Sequence, residues 1–242
     1  MKKIRFRTKV KHFYNRTSKY AKNKFNSVRT FNSFIHLSSD RFVADKFKSL
    51  DDYYRENKIY IYEGYSTQSS QQKQKLIQYS KDSKNILEIG FNAGHSSEVF
   101  LTTNKSSTIT SIDLGYWYYC KFGKAFLEKK YSNRVNVIFD DSIKALSGYE
   151  YLNKNEKYDL IYIDGNHTYE YAKADLQNCK KFATSKTIIL MDDVVFDEDK
   201  RTIGNRAPTK IWKELVNESF IKQIEVVYFE DIGRGIGVGS YI

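Results

Sequence analysis

The sequence lacks the features of disulfide-rich and membrane-spanning proteins. Its 242 residues include a single proline and two cysteines, Cys120 and Cys179, whose spacing fits neither a CxxC pair nor a disulfide framework. No apolar run exceeds five residues, whereas about 18 are needed to span a bilayer, and the N-terminus lacks the apolar stretch of a signal peptide. Hydrophobic residues make up 40%, enough for a core. We therefore expect a globular protein in the reducing cytoplasm.

Acidic residues are absent from residues 1–39, a segment that carries eleven lysines and arginines. This basic arm accounts for the whole formal net charge of +11, because residues 40–242 hold 29 basic and 29 acidic side chains. The apolar residues of the arm fit strand and helix spacing alike. It could pack on the domain or on a second subunit, lie on an anionic surface such as a membrane, act as a transit peptide, or bind nucleic acid, the least favoured of these options.

From residue 40 onward, short apolar strands alternate with amphipathic helices. Residues 40–56 and 67–81 have helical spacing, and five strand-like runs follow, at 85–90, 108–113, 135–140, 158–164 and 187–192. Helices are expected near 95–103, 117–130, 142–152, 168–183 and 208–219, the last with Pro208 in its first turn. Runs at 224–229 and 235–242 can pair antiparallel. The pattern predicts an α/β fold: a Rossmann-like, doubly wound, seven-stranded sheet with a terminal antiparallel hairpin.

Carboxylates stand at the end of each of the five predicted parallel strands. Ligands of such sheets bind beyond the carboxyl ends of the strands, so these residues are candidates for a binding site. Acidic residues are also common in turns and at helix starts, but five along one sheet edge favour a function. They are Glu88, Asp113, the pair Asp140 and Asp141, Asp164, and the pair Asp192 and Asp193.

The loop after the first strand favours one nucleotide cofactor over another. It follows the pattern acid-x-Gly-x-x-x-Gly, with Glu88, Gly90 and Gly94, whereas a dinucleotide-binding loop needs glycines where Asn92 and His95 stand. The glycines allow a close approach of the backbone to a ligand, and the helix start near Ser96 suits a carboxylate.

The charges in and after this loop match S-adenosylmethionine (SAM). Glu88 would accept a hydrogen bond from a positively charged group, and Asp113 would bind ribose hydroxyls. Asp141 and Ser142 would meet the adenine edge. An amino acid joined to adenosine through a sulfonium has this order of groups.

The sequence resembles the class I SAM-dependent methyltransferases over residues 84–242. The resemblance is carried by residues 87–96, by Asp141-Ser142, and by residues 163–169, which read Ile-Asp-Gly-Asn-His-Thr-Tyr. It is greatest to the metal-dependent O-methyltransferases of macrolide sugars, the macrocin type. It implies a divalent-metal site at Asp164, Asp192 and Asp193 and a general base at His167. Asp192 stands where that group often has Glu.

Elementary chemistry is consistent with this implied metal site. Three carboxylates on neighbouring strands repel one another unless a cation lies between them, and oxygen ligands suit Mg²⁺. A metal could hold an acceptor hydroxyl and lower its pKa, while His167 took the proton. Otherwise the carboxylates could pair with substrate or lysine, and His167 could cap a helix.

We therefore expect a SAM-dependent, Mg²⁺-assisted O-methyltransferase that acts on a small hydroxylated acceptor, a sugar or nucleotide sugar by resemblance. The expected parts are the arm 1–39, a helical segment 40–83 that contributes to the acceptor site, and the methyltransferase domain 84–242. Loop 194–207 is expected to cover the acceptor as a lid. The alternatives are a catechol-type O-methyltransferase and an RNA methyltransferase guided by the arm. The chain could also form a homo-oligomer.

Overall fold

A computed structural model describes residues 44–148, 151–153 and 155–242 and contains one seven-stranded sheet in these ranges. The strands lie side by side in the order β3-β2-β1-β4-β5-β7-β6. Their bounds are β1 Asn85–Ile89, β2 Thr108–Asp113, β3 Val135–Phe139, β4 Leu160–Ile163, β5 Ile188–Asp192, β6 Ile221–Phe229 and β7 Arg234–Tyr241. The first five strands are parallel, and β7 pairs antiparallel with both β5 and β6. The predicted doubly wound sheet with a terminal hairpin is confirmed.

The helices of the described ranges cover both faces of the sheet. They are α1 Leu50–Glu56, α2 Ser70–Ser80, α3 His95–Thr103, α4 Tyr118–Lys130, α5 Ser142–Ser147, α6 Tyr169–Cys179 and α7 Arg206–Asn217. Hydroxyls cap two of them, since Ser49 accepts a hydrogen bond from the backbone of Asp52 and Ser69 accepts one from that of Gln72. None of these helices is long and apolar enough to cross a membrane.

Two helix predictions were too long. Within residues 40–56 the α-helix begins only at Leu50, where the Ser49 cap sets its start, and a short 3₁₀ turn lies at Ala44–Lys46. The helix predicted over 142–152 ends at Ser147, with Gly148 as its last cap. Pro208 lies in the first turn of α7, as predicted. The predictions for the arm 1–39 concern residues outside the described ranges.

The core has a layer on each face of the sheet. On one face, α1 and α4 bring together buried aromatic rings, among them those of Tyr53 and Phe126, which stack with centroids 5.0 Å apart. On the other face, α6 and α7 bury Leu176 and Trp212 against the strands. Strands covered on both faces read as continuous apolar runs, which explains the fully buried sequence of β4. The carboxyl ends of the parallel strands are left open to a cavity.

Candidate active site

A cavity of about 1200 Å³ opens at the carboxyl ends of the parallel strands. Its floor includes Gly90, Asp113 and Asp164, the residues that end or follow β1, β2 and β4. The neighbours of β1 are β2 on one side and β4 on the other, so the strand order reverses here. The volume exceeds the usual range for one small ligand and leaves room for a cofactor together with a second molecule.

Gly90 shapes the floor of the cavity where β1 meets β4. Its φ is +98°, and a Cβ placed there would lie 2.0 Å from the carbonyl oxygen of Asp164. A side chain would therefore push β4 away, and the left-handed conformation itself favours glycine. Because Gly90 has no side chain, the backbone of Asp164 can lie directly against the loop.

Asp113 and Asn92 are fixed by backbone hydrogen bonds beside Gly90. The carboxylate of Asp113 accepts from the backbone N–H of Asn92 at 2.8 Å and from that of Gly115 at 2.6 Å. The Asn92 side chain donates to the carbonyl oxygen of Gly64 at 3.0 Å and so joins the loop to the segment before α2. Each carboxylate oxygen keeps a second lone pair, so Asp113 can still accept from ribose hydroxyls at the cavity wall.

The structure gives Glu88 a different position from the predicted one. Its fully buried carboxylate accepts hydrogen bonds from the hydroxyls of Ser96, Ser97 and Ser111, the last at 2.6 Å, and does not line the cavity. Burial raises the pKa of Glu88 to about 7, although the three hydroxyls lower it. Glu88 thus ties α3 to the sheet. Gly94 and Ser96 also lie outside the cavity wall.

At the end of β3 the acid in the cavity wall is Asp140 and not Asp141. Asp141 caps α5 by accepting from the backbone of Lys144, and its other oxygen accepts from the hydroxyl of Tyr171 at 2.6 Å. Ser142 lines the cavity. Hydrogen bonds from Lys144 and Tyr151 lower the pKa of Asp140 to about 2. An adenine at this end would therefore meet Asp140 and Ser142.

His167 lies between two of the predicted metal ligands. Its Nδ1 is 2.9 Å from Oδ2 of Asp193, and its Nε2 is 3.4 Å from Oδ1 of Asp164. Burial lowers the pKa of His167, but the hydrogen bonds and charges of Asp164 and Asp193 outweigh it and raise the pKa to about 10. In this arrangement the imidazole is therefore a cation at neutral pH.

Asp192 completes the acidic cluster, which we define as Asp164, Asp192 and Asp193. One of its oxygens accepts from the side-chain amide of Gln72 at 2.7 Å. The other is buried without a hydrogen-bond partner in the described part of the chain and lies 3.8 Å from Nη1 of Arg234. Burial raises the pKa of Asp192 well above its usual range, and the charges of Asp164 and Asp193 raise it further.

These residues fit a divalent cation by their chemistry. The cluster offers oxygen ligands only, its charges repel one another, and the orphaned oxygen of Asp192 has a free lone pair in a buried place. Across residues 44–148, 151–153 and 155–242, however, no three His, Cys, Asp or Glu side chains are arranged as metal ligands. The side chains of His167 and Arg234 face the carboxylates of the cluster, and a bound cation would have to displace them.

Two of the cavity residues, Glu63 and Arg234, were missed by the sequence reasoning. Glu63 and Gly64 reach the wall from the segment before α2, Tyr116 and Trp117 from the loop after β2, and Arg234 from the start of β7. The stretch just before α2 thus contributes to the cavity. Loop 194–207, predicted to be a lid, contributes no residue to the wall, and its first two residues, Val194 and Val195, are buried in the interior.

Comparisons with known proteins agree with this geometry. Residues 87–194 match a family model described as a methyltransferase domain. The sequence matches no curated protein at a significant level.

Solved structures with a similar fold include three methyltransferases. A Staphylococcus aureus protein provisionally described as a caffeoyl-CoA O-methyltransferase is 17% identical, with a TM-score of 0.57 over 90% of this chain and 100% of that one. An O-methyltransferase from Bacillus cereus, in complex with S-adenosylhomocysteine (SAH), is 17% identical, with a TM-score of 0.60 over 81% and 90%. An SAH-bound methyltransferase from Podospora anserina is 19% identical, with a TM-score of 0.53 over 71% and 78%.

At these identities the similarity of the structures establishes the fold alone, and the family match runs from Leu87 within β1 to Val194, two residues beyond β5. Both findings are consistent with a ligand-binding cavity at the carboxyl ends of the strands. Residues 87–194 of this chain are therefore similar to a methyltransferase domain, and the chain has the fold of the methyltransferases named above.

Proposed function

We propose that this chain transfers the methyl group of SAM to a hydroxyl of a small acceptor, with a sugar or nucleotide sugar as the first candidate. The observation that carries the proposal is that one cavity holds both Asp113, suited to a ribose, and the pair of Asp164 and His167, suited to a hydroxyl. The expected location of such an enzyme is the cytoplasm.

The cofactor would lie along β1, β2 and β3. Asp113 would accept from the ribose hydroxyls, and Asp140 with Ser142 would face the adenine. Glu63, which also lines the cavity, is an acid that would suit the ammonium group of SAM, the role predicted for Glu88. The sulfonium would then lie towards β4, near Asp164.

The acceptor hydroxyl would approach from the side of His167. A base must be neutral to take a proton, and the acidic cluster keeps His167 charged in the free protein. The positive charge of a bound sulfonium would oppose that effect and would lower the pKa of His167. A divalent cation held by Asp164, Asp192 and Asp193 would supply further positive charge, which lowers the pKa of the acceptor hydroxyl.

The chain's remaining contribution is to hold the reactants in line and to exclude water. A methyl transfer is a single displacement, so most of the rate gain comes from positioning. Tyr162 supports that positioning, because its hydroxyl donates to Asp164 at 3.1 Å from within the core. Gln72 does the same for Asp192.

A catechol-type acceptor is the second candidate. Tyr116 and Trp117 give the cavity an aromatic wall, with ring centroids 5.1 Å apart, and such a wall suits a planar ring as well as a sugar. The RNA alternative depends on the arm 1–39, which lies outside the described residues.

The test is a methyl-transfer assay with SAM, Mg²⁺ and two acceptor panels, nucleotide sugars and catechols, read by mass spectrometry. We expect methylated product from the sugar panel, and abolition of turnover by EDTA with recovery on added Mg²⁺. His167→Ala should keep SAH binding and lose at least about a hundredfold in turnover. Normal turnover in that variant would remove the base assignment, and indifference to EDTA would remove the cation.

A further inference from the structure

Arg234 is the first residue of β7 and enters the cavity beside the acidic cluster. The strand pairs with β5 so that Ile236 faces Asp192. Gly235 lets the two backbones approach closely, because a Cβ at that position would lie 2.3 Å from the carbonyl oxygen of Val194. The register and the small residue together place the Arg234 side chain over the end of β5.

The guanidinium group of Arg234 faces two aspartates without hydrogen-bonding to either. Nη1 lies 3.8 Å from Oδ2 of Asp192, and Nε lies 3.6 Å from Oδ1 of Asp193. Both distances exceed the range of a hydrogen bond, so within the described part of the chain these groups meet as ion pairs only. The Asp192 oxygen involved is the one that is buried without a hydrogen-bond partner.

Cationic side chains already face the acidic cluster in the free protein. His167 contacts Asp164 and Asp193. The guanidinium group of Arg234 adds a permanent positive charge beside Asp192 and Asp193, the two least exposed of the three carboxylates. The group is held by charge and not by a directional bond, so it can leave when another cation takes its place.

We propose that Arg234 is a resident counter-cation that competes with a divalent cation for Asp192 and Asp193 and thereby sets the affinity of the site. This inference rests on the proposed function only in taking the acidic cluster as the cation ligands. A cation held by Asp192 and Asp193 would draw on the carboxylates that Arg234 faces, and two positive charges so close together would repel each other even at an effective dielectric constant of about 20. Removal of the Arg234 charge should therefore strengthen cation binding, by about tenfold or more.

The test is a titration of the full chain, freed of metal, with Mn²⁺ and with Mg²⁺ by isothermal titration calorimetry. Arg234→Gln and Arg234→Met remove the charge, and Arg234→Lys keeps it. Lys210→Gln is the matched control, because it removes one positive charge that faces Glu214 on α7, away from the cavity wall. We expect a dissociation constant at least about tenfold lower in both neutral variants and near the wild-type value in Arg234→Lys and Lys210→Gln.

Equal or weaker cation binding in the neutral variants would overturn the proposal, as would the absence of binding in every protein. Loss of folding in both neutral variants would make Arg234 a structural residue and would overturn it too. SAH binding and methyl transfer by the same preparations separate the two hypotheses. Methyl transfer without a change in cation affinity contradicts the role of Arg234 alone, and a change in affinity without methyl transfer contradicts the proposed function alone.

Discussion

Replacement of His167 by glutamine should cost stability in a way that depends on pH. The pKa of His167 is raised from 6.5 to about 10, which at about 1.36 kcal/mol per pKa unit gives an upper limit of about 5 kcal/mol. The side chain is 29% exposed, so solvent screening reduces the expected contribution to about 2–3 kcal/mol. Because the pKa is raised in the folded state, this stabilisation is complete below pH 6.5 and is lost as the pH rises through about 10.

The assay is urea unfolding of the wild type and of His167→Gln in EDTA at pH 6, 8 and 10.5. We expect the variant to be less stable by about 2–3 kcal/mol at pH 6 and the difference to shrink strongly by pH 10.5. Asp193→Asn serves as the matched control, because loss of its charge lowers the pKa of His167 and moves the decline towards lower pH. A difference that is constant from pH 6 to pH 10.5 would refute the ion-pair reasoning.

Two further predictions concern the cofactor and the arm. Asp113→Ala should weaken SAH binding about tenfold to a hundredfold in calorimetry, because it removes a carboxylate that accepts from ribose hydroxyls. Asp141→Ala should change the affinity for SAH little, because Asp141 does not line the cavity. Unchanged affinity in Asp113→Ala would contradict the cofactor placement. Deletion of residues 1–39 should leave the turnover of a small acceptor intact. Loss of turnover in the truncated chain, together with salt-dependent RNA binding by the full chain, would support the RNA alternative.

The sequence allowed most of the sheet to be predicted, because buried parallel strands read as short apolar runs. The runs at β1 to β5 were recognised in order, and their terminal acids identified the edge at which the cavity lies. His167 was predicted to reach the same pocket as Asp164 because it lies three residues beyond Asp164 in one loop. Its contact with Asp193 followed from the neighbouring positions of β4 and β5.

The roles of Glu88, Asp141 and Arg234 could not be predicted from the sequence because each depends on side-chain contacts that no motif or periodicity shows. Glu88 is turned inward by the hydroxyls of Ser97 and Ser111, and neither serine belongs to a motif. Asp141 and Asp140 are adjacent acids, and only the start of α5 decides which one caps the helix.

Arg234 reaches the acidic cluster from β7 through the antiparallel pairing with β5, a contact between residues about 40 positions apart. Gln72 reaches Asp192 from α2 over an even longer separation. Hydrophobic periodicity carries no information about such pairs, since it reports which face of an element is buried and not what that face meets.

The most direct measurement is a crystal structure of the full chain with SAH and an acceptor hydroxyl compound. We predict that the ribose of SAH contacts Asp113, that its sulfur points towards Asp164, and that the acceptor hydroxyl lies within hydrogen-bond distance of His167. SAH bound outside this cavity, or an acceptor hydroxyl remote from His167 and the acidic cluster, would contradict the account.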